Sequence, residues 1–441
     1  MATLKIGDTV KMKSGGSAKV LAEFGSGGQG TVYKVNYNGK EYALKWYHSN
    51  AFYGKEDEFY TNLENNIMKG APTEAFLWPL GITEKQNGSF GYIMDIYPDG
   101  YEELTNFFVG SKKKPQVRFK SFAALITAAI NIIQAFRELH NRGYSYQDIN
   151  NGNFFIDPAN GRVLICDNDN VSPYGTNLGI RGKQRWMAPE IVTLQCDPDK
   201  QSDRFSLAVV LFRLLFINHP LEGRYSTPPC MTKALEKKYY GTEPIFVFDP
   251  TDTRNRPIPG TDHNLKLFWG IYPEYIREIF CRAFSQDVML KRKPRVLEKE
   301  WLDAFFRLRA ETGTCPVCQK EMFYAAEKEN CCFECGKRIP QTARLVFKND
   351  SLSLSLFTHM KVYLWNVDTS MQDIETVVGE VVENTKNPNL LGMRNVSAYT
   401  WMITLPDNTQ RQLEPGSVVP LKNGFVIDFM NNKRAIATIE A

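Results

Sequence analysis

"EFGSGGQGTVYKV", residues 23–35, sets four glycines among thirteen positions and then turns β-branched and aromatic. Backbone without side chains can close its N–H groups on phosphate oxygens, so such a run is either a surface turn or a phosphate cradle. Gly25, Gly27 and Gly30 satisfy G-x-G-x-x-G, Gly28 adds a fourth bare position, and Val32 extends the pattern to G-x-G-x-x-G-x-V. A dinucleotide-binding fold uses the same spacing but opens a helix at the last glycine. Here "TVYKVNYNGKEYALKWY" (31–47) runs on as a strand, a turn at Asn38-Gly39 and another strand. That order predicts a flap between two strands, with Val32 over an adenine ring.

Residues downstream decide between turn and cradle. "YALK" puts Lys45 on the second strand, facing the same cleft. Taken alone, a strand lysine is more often simply exposed. Further on, "GYSYQDINNGNFFID" (143–157) holds Asp148 and Asn153 in a loop, and "RVLICD" (162–167) ends at Asp167. These types at these distances suit a base plus two metal ligands. Phosphoryl transfer is mostly positioning and charge neutralisation, so carboxylate and amide oxygens must hold Mg²⁺ against phosphate oxygens. A separate carboxylate must accept the hydroxyl proton.

In this order the motifs resemble those of a protein kinase over residues 1 to about 308. "GSGGQGTV" resembles the glycine-rich loop and Lys45 the lysine that grips the α/β-phosphates. "MDIY" (94–97) resembles the hinge, with Met94 as gatekeeper. "YQDINNGN" resembles the catalytic loop, and Asp167 of "DND" the magnesium-binding aspartate. "MAPE" (187–190) resembles the end of the activation segment, and Asp203 in "SDRFSLAVVLF" the buried aspartate of the next core helix. The resemblance implies ATP and Mg²⁺, with Asp148 as base, Asn153 and Asp167 on the metal, and Ala43, Met94, Asp95 and Tyr97 among the nucleotide contacts. A helix glutamate should pair with Lys45; Glu64 has the expected separation, and Glu58 is the alternative.

Some positions depart from the pattern. The usual His-Arg-Asp is Tyr146-Gln147-Asp148. The missing arginine is the one that would pair with a phosphorylated activation loop. Activity independent of phosphorylation at Ser172, Tyr174 or Thr176 is therefore expected. Asn150 and Lys183 replace the lysine and threonine common in Ser/Thr kinases, and Lys183 is a candidate replacement cation or an exposed side chain. Asn168 and Asp169 stand where phenylalanine and glycine normally follow the metal-binding aspartate, which questions the usual in/out switching of that segment.

The whole chain has 441 residues, which points to more than one domain. A net charge of +4 gives no reason to invoke nucleic acid or membrane, and "KKK" at 112–114 reads as a solvated loop. "MATLKIGDTVKMKSGG" lacks a signal-peptide core, and "FSLAVVLFRLLFI" (205–217), interrupted by Arg213, reads as a core helix too short to span a bilayer. Five of nine cysteines lie between 315 and 335. "CPVC" and "CFEC" give C-x₂-C-x₁₃-C-x₂-C, the spacing for tetrahedral Zn²⁺ on Cys315, Cys318, Cys332 and Cys335, with Cys331 left over. Four thiolates close the site, so the metal's role is folding, and a reducing cytoplasm is expected.

From 343 the pattern is β again, as in "KVYLWNV", "ETVVGEVVEN", "YTWMITL" and "RAIATIE", separated by turn signals. This stretch resembles a forkhead-associated domain, a β-sandwich that reads phosphothreonine. However, Glu380 stands where that family has an arginine, and the histidine after the serine is absent. An acidic residue there would repel phosphate, so a degenerate docking module is expected.

The expected fold is therefore multidomain: an α+β bilobal protein-kinase fold at 1–308 (N-lobe 1–97, C-lobe 98–308), a zinc ribbon at 312–340 and an all-β sandwich at 343–441. It resembles bacterial regulatory kinases encoded with phosphatase and von Willebrand A-type partners. The reading is a kinase acting on Ser/Thr of a protein substrate. The alternative is a nucleotide-binding scaffold acting through its C-terminal module.

Overall fold

The computed structural model describes residues 3–440 except 53, 87, 111–114, 292, 326–329, 340–342, 349–352, 369–372, 374, 388–389 and 430–435. The lysine run at 112–114 lies outside the described residues. The chain forms two compact units. One comprises 1–120, 127–266 and 280–299; the other comprises 121–126, 267–279 and 300–441.

The first unit opens with a six-stranded antiparallel sheet, in the order β1-β2-β3-β4-β6-β5. Its strands are β1 (Thr9–Lys11), β2 (Ser17–Ser26), β3 (Gly30–Tyr37), β4 (Lys40–Tyr47), β5 (Gly81–Ile82) and β6 (Gly91–Met94). Asn38 and Gly39 both take positive φ, at 51° and 80°, as a two-residue hairpin with the right twist requires. Strand side chains alternate between faces, and the sequence of β4 uses this directly. Leu44 and Trp46 enter one core with Val10, Val20, Tyr33, Val35 and Ile93. Ala43 and Tyr47 enter another with Phe59, Leu63, Tyr92 and Met94. Lys45 lies between Ala43 and Tyr47 in the sequence and so shares their face.

Helix α1 (Glu56–Lys69) carries acidic residues in its first turn and Lys69 in its last, matching the helix dipole. It buries Phe59, Tyr60, Asn62, Leu63 and Asn66.

The rest of this unit is mainly helical. The helix Phe122–Asn141, which lies in this unit from residue 127 onward, is long and apolar enough to cross a membrane, yet Ile130, Ile133, Phe136 and Leu139 are fully buried in the protein core. The helix Lys200–Phe216 starts at an Asp199/Ser202 capping box and buries nearly every residue from Phe205 to Phe216. Arg213, the interruption in its apolar run, lies over the rings of Phe108 and Trp186 at 4.1 and 5.0 Å.

In the second unit, two short hairpins pair Thr312–Thr314 with Glu321–Phe323 and Asn330–Cys331 with Arg338–Ile339. Two antiparallel sheets follow. A six-stranded one has the order Ser353–Ser355, Arg344–Phe347, Ile436–Glu440, Val426–Asp428, Trp401–Thr404, Gln410–Leu413. A four-stranded one has the order Lys361–Tyr363, Val377–Glu383, Leu391–Asn395, Val418–Pro420. Leu345, Leu354, Val362, Val381, Met393, Trp401, Ile427 and Ile439 are buried on these strands. Aromatic pairs tie this unit together: Phe306 stacks on Trp365 at 4.2 Å, Tyr324 on Phe357 at 3.9 Å, and Phe122 meets Phe323 edge-on at 5.2 Å.

Candidate active site

The glycine run forms the expected flap between β2 and β3. Gly27 N–H donates to Gly30 O at 2.8 Å, which tightens the tip. At Gly30 only hydrogen fits, because an added Cβ would lie 2.4 Å from the Trp46 carbonyl oxygen. Nothing crowds the Cα positions of Gly25 and Gly28. Gln29, at the tip, accepts a hydrogen bond from Lys45 Nζ at 3.2 Å. Val32 packs against the cluster holding Ala43 and Met94, so the three apolar contacts expected for an adenine gather in one place. β6 ends at Met94, and the chain leaves as a short link. Asp95 there accepts from Lys40 at 2.9 Å, while Tyr97 stacks on Phe155 at 4.4 Å.

The loop bearing Asp148 is built from below. The helix Phe122–Asn141 stops ahead of Gly143, whose φ is 80°. Asp203, 2% exposed, then accepts the backbone N–H groups of Tyr146 and Gln147 at 2.7 and 2.9 Å, and His140 Nε2 lies 3.2 Å from it. These bonds hold Gln147 at φ 70°, a conformation a non-glycine residue adopts only when its surroundings impose it. Asn150 Nδ2 donates to Asp148 Oδ1 at 3.1 Å, and Asn153 Nδ2 donates to the Asp148 carbonyl at 2.9 Å. Asn150 thus takes over orientation of the expected base. Burial first, and the charge of Asp167 second, push the Asp148 carboxyl up to about 7, against the Asn150 hydrogen bond.

Asp167 follows the strand Val163–Ile165 and sits in the left-handed region at φ 58°. Lys45 Nζ donates to Asp167 Oδ1, joining residues 122 positions apart. Asn168 is fully buried, and its amide donates to the carbonyls of Leu77 and Ile165, both at 2.8 Å. Where the resemblance leads one to expect phenylalanine, this chain has a tethered amide.

The helix glutamate is a correction. Glu64 does not meet Lys45; it is ion-paired with Lys13 on the more exposed side of α1. Glu58 is exposed. The buried face of α1 turns amides inward instead, and Asn62 and Asn66 both donate to Val171 O at 2.8 Å. Lys45 finds its second carboxylate at Asp169, whose Oδ2 lies 2.7 Å from Nζ and also accepts from the Tyr47 hydroxyl. Burial works against the Lys45 ammonium, but the charges of Asp167 and Asp169 outweigh it and hold the group above the ordinary lysine value. Sequence reasoning missed Asp169 and Tyr47. The signal was present, as a second aspartate two residues beyond Asp167 and a tyrosine two residues beyond Lys45 on the same strand face.

Gln147 occupies the place of the missing arginine. Its amide donates to Ser145 Oγ, Ser172 Oγ and Thr176 O at 2.9, 2.8 and 2.7 Å, and its carbonyl accepts from Asn177 at 2.8 Å. Lys183 is exposed and donates to Asn151 Oδ1 at 3.0 Å, beside the catalytic loop.

In the second unit the Sγ atoms of Cys315, Cys318, Cys332 and Cys335 all lie within 4.8 Å of one another. The Cys315–Cys335 and Cys318–Cys332 separations are 3.9 and 3.7 Å. Four thiolates around a tetrahedral Zn²⁺ at ~2.3 Å would stand roughly 3.8 Å apart, whereas a disulfide needs ~2.05 Å. The two knuckles match: Gln319 N–H donates to Cys315 O and Gly336 N–H to Cys332 O, with φ of 59° and 68°. Val317 N–H points at Cys315 Sγ, 3.4 Å away. Cys331 is exposed and outside the group.

A family model described as the protein kinase domain matches residues 18–250, more than half of the chain. This chain belongs to the protein kinase family. Among curated relatives it is 23% identical over 316 residues to protein kinase YegI of Escherichia coli O157:H7, covering 68% of this chain and 46% of that one. It is 25% identical over 210 residues to serine/threonine-protein kinase Sgk1 of Xenopus tropicalis, covering 46% and 48%. The chain thus spans about half the length of these curated relatives. Among solved structures, the kinase domain of Mycobacterium tuberculosis PknI aligns at 18% identity with a TM-score of 0.42, over 69% of this chain and 98% of that one. The candidate residues Lys45, Asp148, Asn153 and Asp167 all fall inside the matched segment.

Proposed function

We propose that this protein is an ATP- and Mg²⁺-dependent kinase that phosphorylates serine or threonine on a protein partner. The observation that carries the reading is the meeting of Lys45 with Asp167 in the cleft, with Asp148 close enough for its proton affinity to respond to both. Bound Mg²⁺ supplies charge neutralisation on the phosphate oxygens. Asn153 and Asp167 would hold it, since amide and carboxylate oxygens are its natural donors. Lys45 grips the α/β-phosphates, the glycine flap excludes water above them, and Asp148 accepts the proton of the incoming hydroxyl. Transfer of labelled phosphate from ATP should be readily measured with the wild type and fall about 10²–10⁴-fold in Asp148→Asn. A wild type that binds Mg·ATP without any transfer would instead support the scaffold reading, which rests on the departures from the kinase pattern at Gln147, Asn150 and Asn168.

The same proposal covers the C-terminal half. Zn²⁺ on the four cysteines is supported by their tetrahedral spacing and holds the two knuckles together. The two-sheet arrangement supports a forkhead-associated-like module, and Glu380, facing Arg394 at 3.6 Å, argues for docking without phosphate recognition. Phosphatase or von Willebrand A-type partners and a cytoplasmic, reducing setting complete the reading.

A further inference from the structure

We infer that Asp169, rather than a glutamate of α1, positions Lys45 for the nucleotide, so that the lysine's anchor belongs to the segment following the metal-binding aspartate. The inference rests on the kinase reading. Its first support is geometric. The Lys45 side chain is 8% exposed and Asp169 not at all, while Asp167 is 33% exposed and turns toward the cleft. Lys45 therefore has one inner and one outer carboxylate, and they differ in what they can do.

The outer one is the metal-binding candidate. Were Asp167 to hold Mg²⁺, the buried ammonium would still need compensation, because an unpaired charge in such a place is strongly unfavourable. Asp169 remains 2.7 Å away to do so. Asp169 is itself fixed: Tyr47 donates to the same oxygen, while Asp169 Oδ1 has no hydrogen-bond partner among the described residues. Lys45 and Tyr47 thus carry its compensation together.

The second support comes from α1. Its buried residues are Phe59, Tyr60, Asn62, Leu63 and Asn66, none of them a carboxylate. Rotation of α1 could not disengage Lys45 by withdrawing a glutamate. Displacement of residues 167–171 would, since Asp167 and Asp169 move with them. Lysine placement is coupled to the activation segment.

The test uses the full chain, with labelled-ATP transfer to dephosphorylated casein and affinity for Mg·ATP measured side by side. Asp169→Asn should lower kcat/KM for ATP about 100-fold, the scale of a misplaced catalytic group. Glu64→Gln should stay within about twofold of wild type in both measurements. In a Lys45→Met background, Asp169→Asn should add nothing, since two members of one unit are not additive. If Asp169→Asn fails to fold, Tyr47→Phe keeps the carboxylate and should still cost about fivefold, the equivalent of one hydrogen bond. Equal losses in Glu64→Gln and Asp169→Asn, or none in Asp169→Asn or in Tyr47→Phe, would overturn the inference. If wild type transfers no phosphate, the kinase reading falls, and Mg·ATP affinity across the same variants still decides which carboxylate holds Lys45.

Discussion

Asp148 carries two consequences of being a half-enclosed carboxylate beside another one. With its proton affinity raised to about 7, the base is only partly ionised near neutrality, so kcat/KM should climb as pH rises from 6 to 8. A pH–rate profile should place the limb near 7, and Asn150→Ala, which removes a hydrogen bond to the ionised form, should move it upward. The stability sign runs the other way. A carboxyl whose folded pKa exceeds its unfolded value stabilises the fold only while protonated, and that contribution is lost as pH rises from about 4 towards 7. Asp148→Asn should therefore melt higher than wild type at pH 8, and thermal melts at pH 5 and pH 8 would show the difference shrinking in acid. Single residues are the most legible feature of the sequence. Lys45 meets Asp167 across the cleft and Asp203 holds the loop that carries Asp148, as their places in the sequence led one to expect. Glu64 misleads because an ion pair between distant residues is chosen by packing, and α1 turns that position toward Lys13. Asp169 looks in the sequence like a glycine lost, when it is a carboxylate added.

Elements explain why the activation segment holds its course without a phosphate. Gln147 is 5% exposed and joins the catalytic loop to Ser172, Thr176 and Asn177 through neutral hydrogen bonds. Ser172 is fully buried, its hydroxyl donating to Thr176 O at 2.9 Å, which leaves it poorly placed as a modification site. Phosphatase-treated protein should keep its activity, measured as casein phosphorylation before and after treatment. Gln147→Ala should lose about 1–3 kcal/mol of stability through unsatisfied buried groups, and activity with it. The missing arginine was visible in the sequence. What replaces it was not, because a glutamine's four partners come from the folded path of two segments about thirty residues apart.

At the scale of the molecule, the second unit depends on two things the sequence displayed unequally. The cysteine spacing was plain, and metal analysis should find about one Zn²⁺ per chain. Chelation or Cys332→Ser should unfold the region around the knuckles, seen as new protease sensitivity there, while Cys331→Ser should leave zinc content unchanged. The aromatic ties were not visible, since ring contacts carry no local pattern. Phe122, Tyr272 and Phe306, all inside the stretch expected to be catalytic, pack on Phe323 and Trp365 downstream. A chain cut after residue 308 should expose those rings, each contributing about 1.5–3 kcal/mol when buried, and elute as aggregates in size-exclusion chromatography. The same interlock bears on how such proteins diversify by recombination. A crossover placed after residue 308 would deliver a foreign tail onto rings shaped for this one, so an exchange that works must also carry residues 121–126 and 267–279 or their matching partners. The rings and the downstream residues they pack on are inherited together.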